Sequence, residues 1–385
     1  MGLNLQTKNT IIIAAGGTGG HIFPALAIIK ELEQYNYHII WVGNSNGMEA
    51  KIANEHNIEF IAININGIRK KNIRYMIIAV YKILFALLRS FIIIKQCKPK
   101  LIMSFGGYVS FPISVMAKVW RLPLVIHEQN AVAGLTNKIL NKIANKTLTA
   151  FDKVLPHAIV VGNPIRKEIL EFKHSKSIMS NQVDKSNGNK LNILIVGGSL
   201  GASIFNEQLP YVFRALIDIG YNNIGSITHQ VGNKHKHLAQ NLYHSLNLTK
   251  QMSVNIVNFI DNMAEAYYSA DLVICRSGAL TVSEICICAK ACIFIPYPFA
   301  VDNHQLKNAQ LVANHGGALI VNQQDFTINV MRDMIKKLTK IECLTMGKLN
   351  NELAINDSHK QITNIINQIA QISINHNGTN LRVKN

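Results

Sequence analysis

The sequence predicts an α/β protein of two domains, each a parallel sheet covered by helices on both faces. Short continuous apolar runs recur with helix-length segments between them, the pattern of strands buried on both faces. The succession strand, double-glycine turn, helix occurs twice, around residues 16–21 and again around 197–202. The 385 residues are 48% hydrophobic and 16% charged, which is enough for two full cores and excludes a disordered chain.

The first half reads as follows. Residues 11–15 form a strand, GGTGGH at 16–21 forms a turn, and a helix starts at Phe23–Pro24, with proline in the first turn, where its missing N–H does no harm. Further strands are expected at 38–42, 58–63, 101–105 and 124–126. The polar stretch 173–190, rich in Ser, Asn and Lys, reads as a linker. The pattern then restarts with a strand at 191–196 and the turn GGSLGA, followed by strands at 226–230, 254–257, 272–275 and 293–295. The domains are expected at 1–166 and 191–358, joined by 167–190, with 359–385 a returning helix and polar tail. The apolar run at 10–15 is too short for the core of a signal peptide.

Lys and Arg number 39 against 22 Asp and Glu, a formal net charge of +17. The excess favours anionic partners, such as phosphorylated substrates or acidic lipid headgroups. No basic motif interleaved with aromatics points to nucleic acid. The six cysteines lack paired spacing, and are expected as buried free thiols in a reducing compartment.

A glycine turn between strand and helix lets backbone N–H groups approach a phosphate, and the helix dipole adds positive potential. Besides the two double-glycine turns, SGALT at 277–281 follows the strand that ends at Cys275. None matches the dinucleotide fingerprint, because Ile22 stands at the third glycine position of the first turn. Glu284, one to two helical turns beyond Ser277, is placed to accept hydrogen bonds from a ribose diol. Gln305 and Asn308 lie three apart on one helix face, and amides suit sugar hydroxyls. In the first half, HEQN at 127–130 ends a strand, where open α/β sheets place their sites. His21 begins a helix, where the dipole favours the neutral imidazole. Such a histidine can take a proton from an attacking hydroxyl.

These segments, together with SFGGYVS, HEQNAVAGLTNK, VGNPIR, FIDNM and CRSGALTVSE, resemble the MurG transferases of glycosyltransferase family 28 over nearly the whole chain. The resemblance implies a GT-B fold, two Rossmann-like domains with parallel sheets facing across a cleft. It also implies inverting transfer of N-acetylglucosamine (GlcNAc) from UDP-GlcNAc to the 4-hydroxyl of undecaprenyl-diphosphate-linked N-acetylmuramyl-pentapeptide. By the same match, the backbone of Ile260 reads uracil, and the amides of Ala279, Leu280 and Thr281 hold the diphosphate with Ser199 nearby. Val282 and Ser283 are counted with the substrate-binding residues. Glu284 holds the ribose, and Gln305 and Asn308 the sugar hydroxyls. Thr18, Gly19, Gly20, Asn130 and Arg166 match positions contacting the donor or the acceptor diphosphate. His21 and Glu128 are the two candidates for the general base.

No Asp-x-Asp pair stands beside a donor loop, so neither metal nor cofactor is expected; helix N-termini and Arg276 are suited to stabilising the departing UDP. The family usually has Gly-x-Pro where this chain has Ala289, Lys290 and Ala291, a change expected to have a small effect on stability.

Residues 69–100 hold a long apolar run at 73–94, interrupted by Arg74, Lys82 and Arg89. Charges at those positions argue against a bilayer-spanning helix and for an amphipathic one with a basic flank. Its apolar face is expected to carry Met76, Val80, Leu84, Leu87 and Phe91. With a lipid-linked acceptor, this segment implies a peripheral protein on an anionic membrane surface, at the cytoplasmic face of the inner membrane. The rival readings are another GT-B UDP-sugar transferase, a UDP-GlcNAc epimerase, or a nucleotide-sugar sensor without turnover.

Overall fold

The computed structural model describes residues 9–65, 73–179, 189–198, 201–233 and 235–379, side chains at 73–77, 79, 174–179 and 372–379 excepted. The chain divides into two compact units, Met1–Ile165 with Asp357–Asn385, and Arg166–Asn356.

The first unit runs β1 (Thr10–Ala14), α1 (Gly19–Leu32), β2 (His38–Gly43), α2 (Met48–Glu55), β3 (Glu59–Ala62), α3 (Ile73–Cys97), β4 (Leu101–Ser104), α4 (Ser110–Val119), β5 (Leu124–Glu128), α5 (Leu135–Leu140), β6 (Lys146–Thr149) and β7 (Ile159–Val160). Its seven strands are ordered β3-β2-β1-β4-β5-β6-β7 and all pair in parallel. Alternate residues of β1 feed opposite layers, as the two-residue period of a strand requires. Ile11 and Ile13 join the core that contains Ile22 and Ile28 of α1. Ile12 and Ala14 join the core beneath α3 and α4, with Ile93 and Ile113.

The second unit runs α6 (Lys167–Met179), β8 (Leu191–Val196), α7 (Ser203–Asp218), β9 (Ile224–Gln230), α8 (Lys236–Ser245), β10 (Ser253–Val257), α9 (Met263–Ser269), β11 (Leu272–Cys275), α10 (Ala279–Ile287), β12 (Ala291–Phe294), α11 (His304–Asn314), β13 (Ala318–Ile320), α12 (Ile328–Lys336) and α13 (Lys340–Glu352). Its sheet order is β10-β9-β8-β11-β12-β13, again parallel throughout. α14 (Ser358–Thr379) belongs to the first unit. Its Ile362 and Ile366 are buried in the α1 core, and Tyr37 donates to Asn367 Oδ1 at 2.8 Å.

Two expectations need correction. α1 starts at Gly19, not at Phe23–Pro24. Thr18 is the extended N-cap, and its carbonyl accepts from His21 and Ile22 at 3.0 and 3.2 Å. Pro24 therefore lies in the second turn, where its missing N–H leaves the Gly20 carbonyl without an intrahelical partner. The stretch 173–190 is not linker throughout, because α6 extends to Met179. Ile169 is buried, Phe172 stacks on Tyr268 at 5.0 Å, and the Lys173 ammonium reaches Asn351 and Asn356. Three strands were not anticipated: β6, β7 and β13. β6 holds one apolar residue among its four, and the other two are only two and three residues long.

No helix among the described residues is long and apolar enough to cross a membrane. α3 is amphipathic: Ala86, Ser90, Ile93 and Ile94 face the core, while Tyr81, Leu84, Phe85 and Leu88 are 58–70% exposed. Leu87 leans inward rather than joining the outer stripe, and the side chain of Met76 lies outside the described residues. Phe91 stacks on Trp120 at 5.0 Å, so the exposed strip continues past the end of α4. Lys82 and Arg89 are exposed beside it. Of the cysteines, Cys97 is half-buried and the other five are buried free thiols. Burial pushes Cys286, Cys288 and Cys343 up to about 12.

At the corner between α10 and β12, Ala289 stands in the left-handed region with φ 54°. Its N–H bonds to Cys286 O and that of Lys290 to Ile285 O, both at 3.1 Å, the paired bonds of a Schellman cap. A Cβ there costs roughly 1–2 kcal/mol, whereas glycine would lose more freedom on folding, about 0.4–1 kcal/mol. Ala289→Gly is therefore expected to stabilise the protein by about 0.5–1 kcal/mol, read as a higher denaturant midpoint at unchanged slope. An equal or lower midpoint would contradict this account of the corner.

Candidate functional site

In both units the strand order reverses at the centre, between β1 and β4 and between β8 and β11. Helices leaving such neighbours turn to opposite faces and open a crevice at the strands' C-terminal ends, where open α/β sheets bind ligands. Glycine turns follow all four of these strands.

In the first unit, β1 leads through Gly16 and Gly17 into α1. A Cβ on Gly16 would meet the buried Glu49 carboxylate at 2.3 Å; only glycine lets the chain pass there. Gly17 has φ 98°. No described residue accepts from the Gly19 or Gly20 amide in the first turn. His21 sits in the same turn, half-buried, with Nδ1 at 3.3 Å from the Thr18 hydroxyl. Its ring lies against the turn after β4, since a Cβ on Gly106 would meet His21 Cδ2 and Asn137 Nδ2 at 3.4 and 3.1 Å.

The HEQN segment is packed into the end of β5. His127 is fully buried, with Nε2 2.9 Å from Gly162 O. Burial pushes its pKa down to about 4 against the opposing pull of that carbonyl and of Glu128, so the ring is neutral and Nε2–H donates. Glu128 is 2% exposed. Its Oε1 accepts from Asn130 N and Nδ2 at 3.0 and 3.2 Å, and its Oε2 from Gly134 N and Asn137 Nδ2 at 3.1 and 2.9 Å. Four donors fill the carboxylate's acceptor capacity. Glu128 thereby ties the 130–134 loop to α5.

In the second unit, Gly278 is the extended N-cap of α10. No described residue accepts from the amides of Leu280 and Thr281, whereas Val282 N is committed to Gly278 O. The Val282 side chain is fully buried and belongs to the core. Ala279 is buried at the start of the helix, and Ser283 is half-buried. Asn308, fully buried, donates to Ser277 O at 3.1 Å, and Ser277 Oγ donates to Gln305 O at 2.8 Å. Gln305 Oε1 accepts from Tyr297 N at 2.9 Å. Asn308 is thus a clamp between α11 and the glycine turn, while Gln305 keeps its NH₂ for another acceptor. Arg276 is fastened to the framework beside the turn. It donates to Ile295 O, Pro296 O and Gln323 Oε1, and lies 5.0 Å from the Phe205 ring. No described residue takes the backbone N–H or C=O of Ile260. Ser199 lies outside the described residues.

Glu284 is 4% exposed and already has partners. Arg166 Nε and Nη2 donate to Oε1 and Oε2, both at 2.9 Å, and Tyr267 donates to Oε2 at 3.0 Å. Burial alone would lower the Arg166 guanidinium, and the adjacent carboxylate holds it above its ordinary value instead. Burial and the same carboxylate push the Tyr267 phenol well above the usual range, so it stays a neutral donor. Arg166 therefore meets Glu284 through two parallel bonds in this structure. Tyr267, Asn137 and Gln323 were not anticipated; nothing in the spacing of residues 267 and 284 or of 128 and 137 marks them as partners.

Two parallel-sheet units with glycine turns at both switch points define a doubly wound, Rossmann-like α/β architecture suited to phosphate-bearing ligands. The glycosyltransferase family 28 N-terminal domain matches residues 11–149 and the C-terminal domain of that family residues 192–369. The chain is 38% identical over 366 residues, 95% of its length and 96% of the relative's, to a Paraburkholderia phymatum protein named UDP-N-acetylglucosamine–N-acetylmuramyl-(pentapeptide) pyrophosphoryl-undecaprenol N-acetylglucosamine transferase. Acinetobacter baumannii MurG, a solved structure, matches with TM-score 0.79 and 34% identity over 94% of this chain and 99% of that one. A UDP-GlcNAc 2-epimerase from Neisseria meningitidis, bound to UDP-GlcNAc, matches with TM-score 0.60 at 12% identity over 93% of this chain and 99% of that one, a likeness of fold alone. The chain belongs to glycosyltransferase family 28.

The buried histidines make stability depend on acidity. His127 is held near 4, and burial holds His229, 3.1 Å from the Tyr243 hydroxyl, at about 3. Below about 6.5 the unfolded chain binds protons that the folded chain refuses, so stability is intact above that pH and falls toward pH 4. Each site contributes a loss on the order of 3 kcal/mol. Denaturant midpoints taken from pH 7 to pH 4.5 should fall, and His127→Asn should flatten the slope. A pH-independent midpoint would refute the neutral assignments.

Proposed function

We propose that the chain transfers GlcNAc from UDP-GlcNAc to the 4-hydroxyl of undecaprenyl-diphosphate-linked N-acetylmuramyl-pentapeptide, with inversion at the anomeric carbon. The observation that carries this reading is the match along 95% of the chain and 96% of a relative bearing that activity's name. The epimerase likeness extends to fold only and supports no rival of equal weight.

The chemistry is a single displacement. The acceptor oxygen bonds to the anomeric carbon, the bond from that carbon to the β-phosphate oxygen breaks, and the hydroxyl proton passes to a base. His21 suits that task. Its Nδ1 lies 3.3 Å from Thr18 Oγ1, and a helix N-terminus favours the neutral imidazole that a base requires. Glu128 is the weaker candidate, because its four donors leave no lone pair for an incoming proton; it shapes the loop that carries Asn130. The departing UDP carries two phosphates, for which the Leu280 and Thr281 amides and the α10 dipole provide stabilisation. Gln305 offers its NH₂ to a sugar hydroxyl, and Ile260 its backbone to the uracil edge. Gly19 and Gly20 offer amides to a second anion, the acceptor diphosphate.

A membrane-embedded acceptor suits the exposed strip of Tyr81, Leu84, Phe85 and Leu88 with Lys82 and Arg89 beside it. Such a surface binds the interface of an anionic bilayer without spanning it; we assign it to the cytoplasmic face of the inner membrane.

Transfer of labelled GlcNAc to a soluble short-chain analogue of the lipid acceptor tests the reaction. Wild type is expected to turn over, and His21→Ala to lose about 100-fold or more while still binding UDP. Transfer that survives this substitution would remove His21 from the chemistry. Bound UDP without wild-type transfer would sink the activity itself and favour a sensor. Separately, Phe85→Ser with Leu88→Ser should weaken partition onto phosphatidylglycerol vesicles about tenfold or more, with transfer to the soluble analogue retained. Undiminished partition would dismiss the α3 face as the docking surface.

A further inference from the structure

Between β12 and α11, residues 295–303 hold two aromatic rings away from the core. Tyr297 is half-exposed. Phe299, 79% exposed, stands out further than any other large apolar side chain among the described residues. The two rings meet edge to face, with centroids 5.6 Å apart and planes at 71°, a geometry that aromatic quadrupoles favour. The Arg276 guanidinium lies 5.6 Å from the centre of the Tyr297 ring, within cation–π range. Tyr297 is thereby braced, and Phe299 is the ring left facing solvent. The backbone that carries them is fastened along its length. Tyr297 O accepts from Ala300 N at 3.2 Å, Ala300 O from Asn303 N at 3.1 Å, and Val301 O from His304 Nδ1 at 2.8 Å. Asp302 and Asn303 both have φ 52°. Two successive residues in the left-handed region cost energy, and strain of this kind gathers at ligand clamps.

The same segment is joined to Gln305. Tyr297 N donates to Gln305 Oε1 at 2.9 Å, and the NH₂ of that one side-chain amide is what Gln305 offers a sugar hydroxyl. Ser277 Oγ, at the start of the α10 turn, donates to Gln305 O at 2.8 Å. One residue thus ties the aromatic pair to the turn whose amides suit a diphosphate. We propose that Phe299 is a specificity-determining residue of the donor site, a flat surface on which the apolar face of the GlcNAc ring stacks, with Tyr297 as its brace. This rests on Gln305 as a residue that meets the donor sugar. A pyranose carries its hydroxyls around the rim and C–H bonds on its faces. Those hydrogens bear slight positive charge and suit the negative face of an aromatic ring. Gln305 bonds the rim and Phe299 covers the face. Uridine and the phosphates take no part in this contact, so it separates the sugar-bearing nucleotide from the bare one.

Calorimetric binding of UDP and of UDP-GlcNAc to the full chain, without acceptor, tests this. In Phe299→Ser the affinity for UDP-GlcNAc is expected to fall about tenfold, and that for UDP to change by less than about twofold. Phe299→Tyr should restore the wild-type ratio of the two affinities. Phe299→Leu, apolar but without a π face, should not. Unchanged UDP-GlcNAc affinity in Phe299→Ser overturns the proposal. So does an equal loss for both ligands, which marks a disturbance of the turn rather than a lost sugar contact. Full restoration by leucine overturns the stacking. Intact donor binding with a raised KM for the soluble acceptor analogue also overturns it, and gives the ring to the acceptor. Gln305→Ala separates the underlying reading. Unchanged UDP-GlcNAc affinity in that variant removes Gln305 from the sugar site and the premise with it. A loss there, with none in Phe299→Ser, removes the aromatic surface alone.

Discussion

Right-handed crossovers between parallel strands set everything else in this molecule. Each sheet begins at a central strand, builds outward to one edge, then returns to build the other. A helix after β1 must therefore cover one face and a helix after β4 the other, and the two cores show it: Ile22 packs with Ile11 and Ile13, Ile113 with Ile12 and Ala14. Between the diverging helices no side chain can fill the sheet's end. The glycine turns and the first-turn amides collect there because the topology leaves that place open.

The two buried carboxylates near these crevices solve the same problem differently. A buried charge is tolerated when hydrogen-bonded or paired, and costly when it is not. Glu128 is neutralised by dipoles alone, two backbone amides and two asparagine side chains. That arrangement fixes the carboxylate against the 130–134 loop and α5. Glu284 takes a cation and a phenol instead.

Much of this was legible in the residues. Strands buried on both faces announce themselves as unbroken apolar runs, so β1, β2, β8 and β11 fall within a residue or two of where the sequence puts them. Edge strands lack that signal: β7 is Ile159 and Val160, both exposed. α6 was hidden because its lysines, serines and histidine read as linker. The start of α1 was hidden by two glycines, which permit a helix without favouring one. For the site, spacing identified His21, Glu128, Glu284 and Gln305 as chemically suited residues. It could not say that Val282 points into the core, that Arg276 is fastened to the end of β12, or that Glu284 lies beside Arg166 and Tyr267. Those facts depend on which distant segments the sheet order makes neighbours, and no local pattern encodes them.

The return of α14 to the first unit bears on how the chain comes off the ribosome. Ile362 and Ile366 complete a core otherwise built from residues before 166, so the earliest-made unit waits for the latest-made helix. The second unit is contiguous from Arg166 to Asn356 and can finish first. During that interval the α1 layer of the first unit presents its apolar face uncovered, which makes it the region of the nascent chain most in need of a chaperone.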